Sequence, residues 1–431
     1  MKRNIEKATA MAMAALAMFT SCGTQKKAQD ATAGATGSDI VISRPEPGTL
    51  IDSQYLIYSD AQRDLIAKNN GFALNLFRGT AQMASTVVSP LSVTYLMGML
   101  ANGADSATRD EIMTTIGAKG TDLNELNGLY HFIMTHEAKA DKATTINIAN
   151  FMAVNKDISL KAPFTNTCKE QYEAGVESMD FASPKSAEKI NNWCKKQTDG
   201  MIPSIISSTD ASDLAYIMNA IYFNGTWTNK FEKSQTKEER FRGYTRNIQT
   251  VKMMHQNDKF LYTDADGYSA VRLPYGSEQY AMTILLPHND KSISDIMDGL
   301  TAEKLQEMQR GMRECVVDLK LPRFSVSTEL TLNDIIAKLG APSIFAAGKA
   351  DFSNMSATPM SVSKMLQKAK IEVSEEGTKA AAVTAAIMTM SALNPNEPQH
   401  VTFHADHPFV YMITERNSGA IFFIGQFTGG E

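Results

Sequence analysis

The chain has little of several features that would narrow its class at once. It carries only four cysteines and two tryptophans in 431 residues, which excludes a disulfide-rich scaffold. Its formal net charge is −5, which argues against a nucleic-acid binder, because such proteins show a basic footprint. No segment reaches the ~18 consecutive apolar residues of a membrane-spanning helix. The hydrophobic share of 43% nevertheless predicts a large folded core rather than disorder.

The sequence also lacks the common catalytic and cofactor signatures. It contains no GxSxG, HExxH, Walker or GxGxxG motif. The densest metal-like group is His400, His404, Asp406 and His407. On a strand, residues 404 and 406 share a face while 407 points away, so three ligands do not converge. We therefore predict no metal and no cofactor, and these observations alone name no enzyme activity and no catalytic residue.

The first 21 residues have the form of a secretory signal peptide. Lys2, Arg3 and Lys7 precede the apolar segment 8–19, which is too short to span a bilayer. Residues 19–23 read FTSCG and resemble the lipobox of bacterial lipoproteins, in which the cysteine, here Cys22, is lipidated. The alternative is a plain signal peptide followed by an unrelated cysteine.

The segment after this leader is small and polar. Residues 22–56 are rich in Gly, Ala and Thr and contain Pro45 and Pro47, so we expect a lipidated tether without a core. Residues 57–431 have globular composition throughout, with no second linker, which predicts one folded domain. We also expect a monomer. We expect a lipoprotein of the bacterial cell envelope, held at the outer membrane by the lipid anchor alone. It faces either the periplasm or the cell exterior.

The remaining cysteines show no pattern of metal binding or redox chemistry. Cys168, Cys194 and Cys315 are not joined by CxxC or zinc-type spacing. We predict three buried, inert thiols, and a disulfide between two of them is the alternative.

Helices are predicted mainly in the first half of the chain and strands mainly in the second, which is an α+β pattern. Ser89-Pro90 and Ser183-Pro184 each predict a helix start, with serine as the cap and proline at the first helical position. A third helix is predicted from about Thr331 to Gly340. The predicted strands are Ala215 to Phe223, Tyr280 to Leu286, Cys315 to Leu321, Pro408 to Thr414 and Ala420 to Phe427.

One segment near the C-terminus has two conflicting interpretations. Residues 371–393 read IEVSEEGTKAAAVTAAIMTMSAL, and the alanines after Gly377 favour an ordinary surface helix. Apolar and charged residues alternate at positions 371–373, as in a strand that runs directly into this segment. Two prolines in residues 394–398 end any helix. A segment that enters a sheet as a strand is therefore the alternative to the helix.

Here the sequence resembles the serpin family. Residues 375–382 (EEGTKAAA) look like the reactive-loop hinge of inhibitory members. Other blocks similar to the family, in the family's order, are SPLS at 89–92, INNW at 190–193, NAIYFNGTW at 219–227, LPRF at 321–324 and ADHPF at 405–409. They cover roughly residues 60 to 428. The resemblance implies an α+β serpin-like single domain with three β-sheets, about eight to nine helices and an exposed reactive loop.

The resemblance assigns the hinge to Glu375, Glu376, Gly377, Thr378, Lys379, Ala380, Ala381 and Ala382. In a serpin the loop is cleaved by the protease and then enters a sheet as a new strand. Alternate side chains of that strand must be buried. With Thr378 inward the buried set is uncharged, and Lys379, where family members usually have Glu, points outward. Gly377 lets the chain pivot there.

Two further groups of residues follow from the resemblance. The "shutter" beneath the sheet is assigned to Ser89, Ser92, Asn219 and Gln367. Gln367 replaces the usual histidine, but an amide can still donate and accept hydrogen bonds. The "breach", where insertion begins, is assigned to Trp227 and to an ion pair between Glu375 and Arg323.

Family spacing from Gly377 places the scissile bond at Ser391-Ala392. The stretch to Phe409 is longer than usual, so the window also includes Met388, Thr389, Met390 and Leu393. All of these residues are uncharged and small or medium in size. This predicts target proteases with shallow apolar pockets, elastase- or subtilisin-like, and papain-like cysteine proteases remain open. The expected function is irreversible suicide-substrate inhibition, and the alternative is a non-inhibitory serpin that acts as a binding or storage protein.

Overall fold

The computed structural model of the chain describes residues 58–80, 83–136, 141–378 and 398–430. Nine α-helices lie in these ranges, in agreement with the eight to nine expected. The helices are α1 (Asp60–Thr80), α2 (Pro90–Gly103), α3 (Ser106–Thr115), α4 (Leu123–His136), α5 (Ala162–Tyr172), α6 (Pro184–Gln197), α7 (Ile293–Gly299), α8 (Ala302–Gly311) and α9 (Asn333–Leu339).

The same ranges contain fifteen strands. They are β1 (Thr86–Val88), β2 (Thr144–Asn155), β3 (Gly175–Met179), β4 (Ala215–Thr226), β5 (Lys237–Arg242), β6 (Ile248–Ala265), β7 (Tyr268–Tyr275), β8 (Tyr280–Pro287), β9 (Arg313–Pro322), β10 (Phe324–Thr331), β11 (Lys364–Ser374), β12 (Gly377–Thr378), β13 (His400–His404), β14 (Phe409–Glu415) and β15 (Ile421–Phe427). All five predicted strands are present within one to three residues of their expected ends.

The strands form two hydrogen-bonded sheets. The smaller has six strands in the order β10-β11-β12-β4-β2-β3, and β11 also pairs directly with β4. The larger has nine strands in the order β1-β15-β14-β8-β7-β6-β9-β13, with β5 on the side of β6. The long strand β6 belongs both to a set with β5, β9 and β13 and to a set with β7 and β8. The three expected sheets are thus one separate sheet and two strand sets that share β6, and the α+β fold class is confirmed.

Local chemistry explains where the predicted helices begin and end. Ser89 caps α2 through its side chain, which accepts a hydrogen bond from the Ser92 N–H, and Pro90 occupies the first turn. Pro184 starts α6 in the same way, although the Ser183 side chain makes no capping bond. Gly340 follows α9 with a φ of 130°, a conformation that glycine adopts without a Cβ clash.

Strand β4 lies at the centre of the smaller sheet and is buried along nearly its whole length. Tyr216, Met218 and Ala220 pack with α6 on one face, in a cluster that also contains Leu366 of β11. Ile217 and Ile221 belong to the main core on the other face, where α2 packs. The prediction of a strand buried on both faces is confirmed.

The three cysteines of the described part of the chain are free and buried. Burial raises the pKa of Cys168 and of Cys194 to about 12, so both thiols are protonated at neutral pH. The prediction of inert thiols holds, and the disulfide alternative does not. Among the helices in the described ranges, none is both long and apolar enough to cross a membrane.

Candidate functional site

The candidate site is the junction between β4 and β11, which we call the seam. The two strands run parallel and pair directly from Lys364–Lys370 against Tyr216–Tyr222. Above these pairs β12 (Gly377–Thr378) lies between them and pairs antiparallel with both strands. The first residues of the predicted loop therefore already occupy the upper end of the seam.

The fit of β12 in the seam depends on glycine. Gly377 has a φ of 139°, and a Cβ atom there would lie 2.1 Å from the carbonyl oxygen of Gly225. No other residue type fits so close to the backbone of β4. Thr378 is fully buried, on the face where the alternation of the hinge places it.

Trp227 anchors the chain just before β12. Its indole Nε1 donates to the carbonyl of Ser374 at 2.9 Å, and its backbone N–H donates to the carbonyl of Glu376 at 3.0 Å. Its ring stacks on Tyr275 with centroids 4.3 Å apart and planes 12° apart. The Tyr275 hydroxyl lies 2.7 Å from the hydroxyl of Thr378. Trp227 thus lies at the upper end of the seam, and it contacts Tyr275, which sequence reasoning missed.

The expected pair of Glu375 and Arg323 is present, but it is unequal. The Glu375 side chain is 7% exposed and that of Arg323 52% exposed, and their charged atoms are 3.9 Å apart. A closer donor is the Thr236 hydroxyl, 2.9 Å from the Glu375 carboxylate. An ion pair with one exposed partner contributes about 0–1 kcal/mol, so the hydroxyl is the better defined contact.

Glu376 forms ion pairs that sequence reasoning did not assign. Its carboxylate lies 2.9 Å from Lys230 Nζ and 3.0 Å from Lys233 Nζ. The hydrogen bonds from Lys230 and then Lys233 lower the pKa of Glu376 below its usual 4.5. The sequence held one feature that could have predicted these ion pairs. Two lysines follow shortly after Trp227, and their charge is opposite to that of the two hinge glutamates.

On the β11 side of the seam, Gln367 clamps the start of α2. Its Oε1 accepts from the Ser89 N–H at 3.0 Å, and its Nε2 donates to the Ser89 carbonyl at 2.8 Å. The Ser89 hydroxyl donates to the Ser92 hydroxyl at 3.0 Å. All three residues are fully buried or nearly so. The glutamine therefore takes part in a complete network with both serines.

On the β4 side, Asn219 belongs to a different group. It is the register partner of Gln367 across the seam, yet no hydrogen bond between these two described residues is present. Its Nδ2 donates instead to Asn150 Oδ1 at 2.9 Å, on the neighbouring strand β2. Its own Oδ1 is buried without a hydrogen-bond partner. The four shutter residues thus form two groups, one on each side of the seam.

Several predicted site residues lie outside the described residues and stay predictions. They are Cys22, the hinge residues Lys379, Ala380, Ala381 and Ala382, and the scissile window Met388, Thr389, Met390, Ser391, Ala392 and Leu393.

The histidines near the C-terminus have other partners than a metal. His404 Nε2 lies 3.0 Å from Asp318, and His407 contacts Asp406 at 2.8 Å and the Pro287 carbonyl at 2.8 Å. No group of three or more His, Cys, Asp or Glu side chains in the described ranges is arranged to hold a metal ion.

Comparison with known proteins agrees with this geometry. The family model described as "Serpin (serine protease inhibitor)" matches residues 67–429. The leukocyte elastase inhibitor of Homo sapiens is 34% identical over 380 residues, which cover 84% of this chain and 99% of that relative. Serpin B4 of Homo sapiens is 33% identical, covering 84% of this chain and 98% of the relative.

Solved structures with a similar fold were also found. The thermophilic serpin tengpin in its native state superposes with a TM-score of 0.79 at 26% identity, over 87% of this chain and 95% of that one. Human thyroxine-binding globulin superposes with a TM-score of 0.78 at 25% identity, over 85% of this chain and 99% of that one.

Proposed function

The chain belongs to the serpin family, and on that premise we propose that it is an irreversible suicide-substrate inhibitor of endopeptidases. Serine endopeptidases are the main target class. Papain-like cysteine endopeptidases are a second class that the loop sequence leaves open. The protein has no catalytic residue of its own in this proposal, since the protease supplies the nucleophile.

The observation that carries the proposal is the seam. Below β12, β4 and β11 are neighbours in a parallel ladder, whose hydrogen bonds an entering strand replaces with new ones on both of its sides. Gln367 and Asn219 face each other across the seam but bond to opposite sides, so their separation breaks no bond between them. The seam can therefore open at this level at little side-chain cost.

The proposed reaction begins when the protease nucleophile attacks the carbonyl carbon of the scissile bond. The peptide C–N bond breaks, the new amine leaves with a proton, and an ester or thioester joins the protease to the loop's N-terminal part. The loop then enters the seam as a strand that continues β12. Insertion precedes hydrolysis of the acyl bond by water, so the protease stays covalently attached.

The target specificity follows from the scissile window at Ser391-Ala392. Small and uncharged residues fit the shallow apolar pockets of elastase- and subtilisin-like proteases and give a trypsin-like pocket no positive charge to bind. The relative named leukocyte elastase inhibitor supports the elastase-like class. We propose such proteases as the partners of a monomeric inhibitor.

The location is part of the proposal. Lipidation at Cys22 holds the inhibitor at the outer membrane of a bacterial cell envelope through residues 22–56. Metabolic labelling with a palmitate analogue tests this, because Cys22→Ser abolishes labelling if Cys22 is the acceptor. Labelling that persists in this variant contradicts the anchor.

The experiment for the function is a denaturing gel of the purified protein with a panel of proteases. We expect a covalent complex with an elastase-like or subtilisin-like protease, and none with trypsin. The same protease with its nucleophile replaced by alanine is the control and must give no complex. Mass spectrometry of the released C-terminal fragment locates the scissile bond. Cleavage by the whole panel without any complex would overturn the proposal and favour the binding or storage protein.

A further inference from the structure

Tyr275 touches the hinge without belonging to it. It ends strand β7, is fully buried, and its hydroxyl lies 2.7 Å from that of Thr378. Its ring stacks on Trp227, and an antiparallel bridge pairs the backbones of the same two residues. Burial raises the pKa of Tyr275 far above its usual value, so the hydroxyl keeps its proton. The Tyr275 hydroxyl is therefore held in a fixed position in the core, where it bonds to the hydroxyl of Thr378.

We propose that Tyr275 is a positioning residue whose hydrogen bond to Thr378 holds Gly377 and Thr378 in the seam before any protease attacks. This inference rests on the proposed function, because its consequence is measured in the inhibitory reaction. Tyr275 sets the point from which insertion starts.

The burial of Thr378 shows why this contact helps to set the resting position of β12, alongside the two hydrogen bonds by which Trp227 holds the carbonyls of Ser374 and Glu376. Thr378 is fully buried, so without Tyr275 its hydroxyl has to find another partner or leave the sheet. A buried hydroxyl without a partner is strongly unfavourable, and we expect removal of the Tyr275 hydroxyl to lower the ratio of inserted to released hinge about ten-fold.

The position of the hinge matters for the outcome of the reaction. After acylation, insertion competes with hydrolysis of the acyl bond by water. When the hinge is already paired with both strands, Gly377 and Thr378 are in place before insertion begins, and insertion is faster relative to hydrolysis. A hinge that has left the sheet must enter first, so more acyl-enzyme is hydrolysed and more inhibitor is consumed for each protease trapped.

The test uses Tyr275→Phe in the full chain, with Tyr411→Phe as the matched control. Tyr411 is also fully buried in the core, but its hydroxyl has no hydrogen-bond partner in the described structure. The first readout is hydrogen exchange of the peptide that contains residues 374–378, measured by mass spectrometry without protease. We expect exchange about ten-fold faster in Tyr275→Phe and no change in Tyr411→Phe.

The second readout is the number of inhibitor molecules consumed for each protease inhibited. It rises in Tyr275→Phe. The double variant Tyr275→Phe/Thr378→Val removes both hydroxyls, leaves no unpaired group, and returns both readouts towards the original values. A residue needed only for folding gives no such recovery.

The outcomes separate this inference from the proposed function. Unchanged exchange in Tyr275→Phe overturns the inference, and so does an unchanged stoichiometry where complexes form. A double variant as defective as Tyr275→Phe also overturns it. If exchange rises but no protease forms a complex with the original chain, the proposed function fails, while the hold on the hinge stands.

Discussion

An engineered disulfide that joins β4 to β11 across the seam tests whether inhibition requires the two strands to separate. Ala220 and Lys368 are register partners of the parallel pair. Both lie on the face covered by α6, where Ala220 is fully buried and Lys368 lies near Cys194. Neighbouring strands are about 4.8 Å apart, and disulfides join Cα atoms up to about 6.8 Å apart. Ala220→Cys/Lys368→Cys therefore fits the closed seam.

The same distances exclude the disulfide from an opened seam. A strand between β4 and β11 moves their Cα atoms to about two strand spacings, or ~9.6 Å, which no disulfide spans. When the registers of β12 with both strands are continued, position 383 of the inserting loop lies opposite the disulfide between positions 220 and 368. Insertion then stops near that position, so we expect cleaved inhibitor and free protease in place of the covalent complex. The lost pair of Lys368 with Glu329 costs only about 0–1 kcal/mol.

The assay compares one protein in two redox states. Cys194→Ala in the background prevents mispairing with the new cysteine at position 368. Mass spectrometry verifies the disulfide, and a denaturing gel measures the complex before and after reduction. Reduction restores the complex if the strands separate. Equal complex yields from the oxidised and reduced protein refute the reasoning.

Four further substitutions test single positions. Thr378→Arg places a charge at a fully buried position, which costs several kcal/mol without a partner, so a protease gel should show substrate cleavage and little complex. Lys379→Glu, on the opposite face by alternation, lowers the yield far less, and equal losses contradict the face assignment. Gln367→Ala leaves the buried Ser89 N–H unpaired and lowers the free energy of unfolding by about 1–3 kcal/mol in urea titration; an unchanged midpoint contradicts the clamp. The pKa of Glu376 is depressed in the folded state, so its ion pairs stabilise the fold above pH 4.5 and are lost below it. Glu376→Gln should remove that part of the pH dependence in thermal melts, and an identical pH profile argues against it.

The elements that sequence predicted are those set by local chemistry. A serine followed by proline marked the start of α2, and a nearly continuous apolar run marked β4. The run ended at Phe223, but β4 continues to Thr226, because residues 224–226 pair with strands β2 and β12. Boundaries set by a neighbouring strand cannot be found from the run itself.

The contacts of the site were less predictable, because they join distant parts of the chain. Gln367 and Ser89 are 278 positions apart, and the sequence gives no sign that the amide binds the backbone of the serine. No feature of the sequence marked Tyr275 as a contact of the hinge. The helix interpretation concerns the alanines after Gly377, which lie outside the described residues, whereas Gly377 and Thr378 just before them lie in a sheet because they pair with β4 and β11. The resemblance to the serpin family indicated which residues to consider, and the structure shows which residues they contact.

The most direct measurement of the central claim compares thermal unfolding of the intact protein with that of the same protein cleaved within residues 388–393. A loop that enters the seam adds a paired strand to the centre of the smaller sheet. The cleaved form should therefore unfold at a clearly higher temperature than the intact one. An unfolding temperature that cleavage leaves unchanged or lowers contradicts insertion, and with it the inhibitory mechanism.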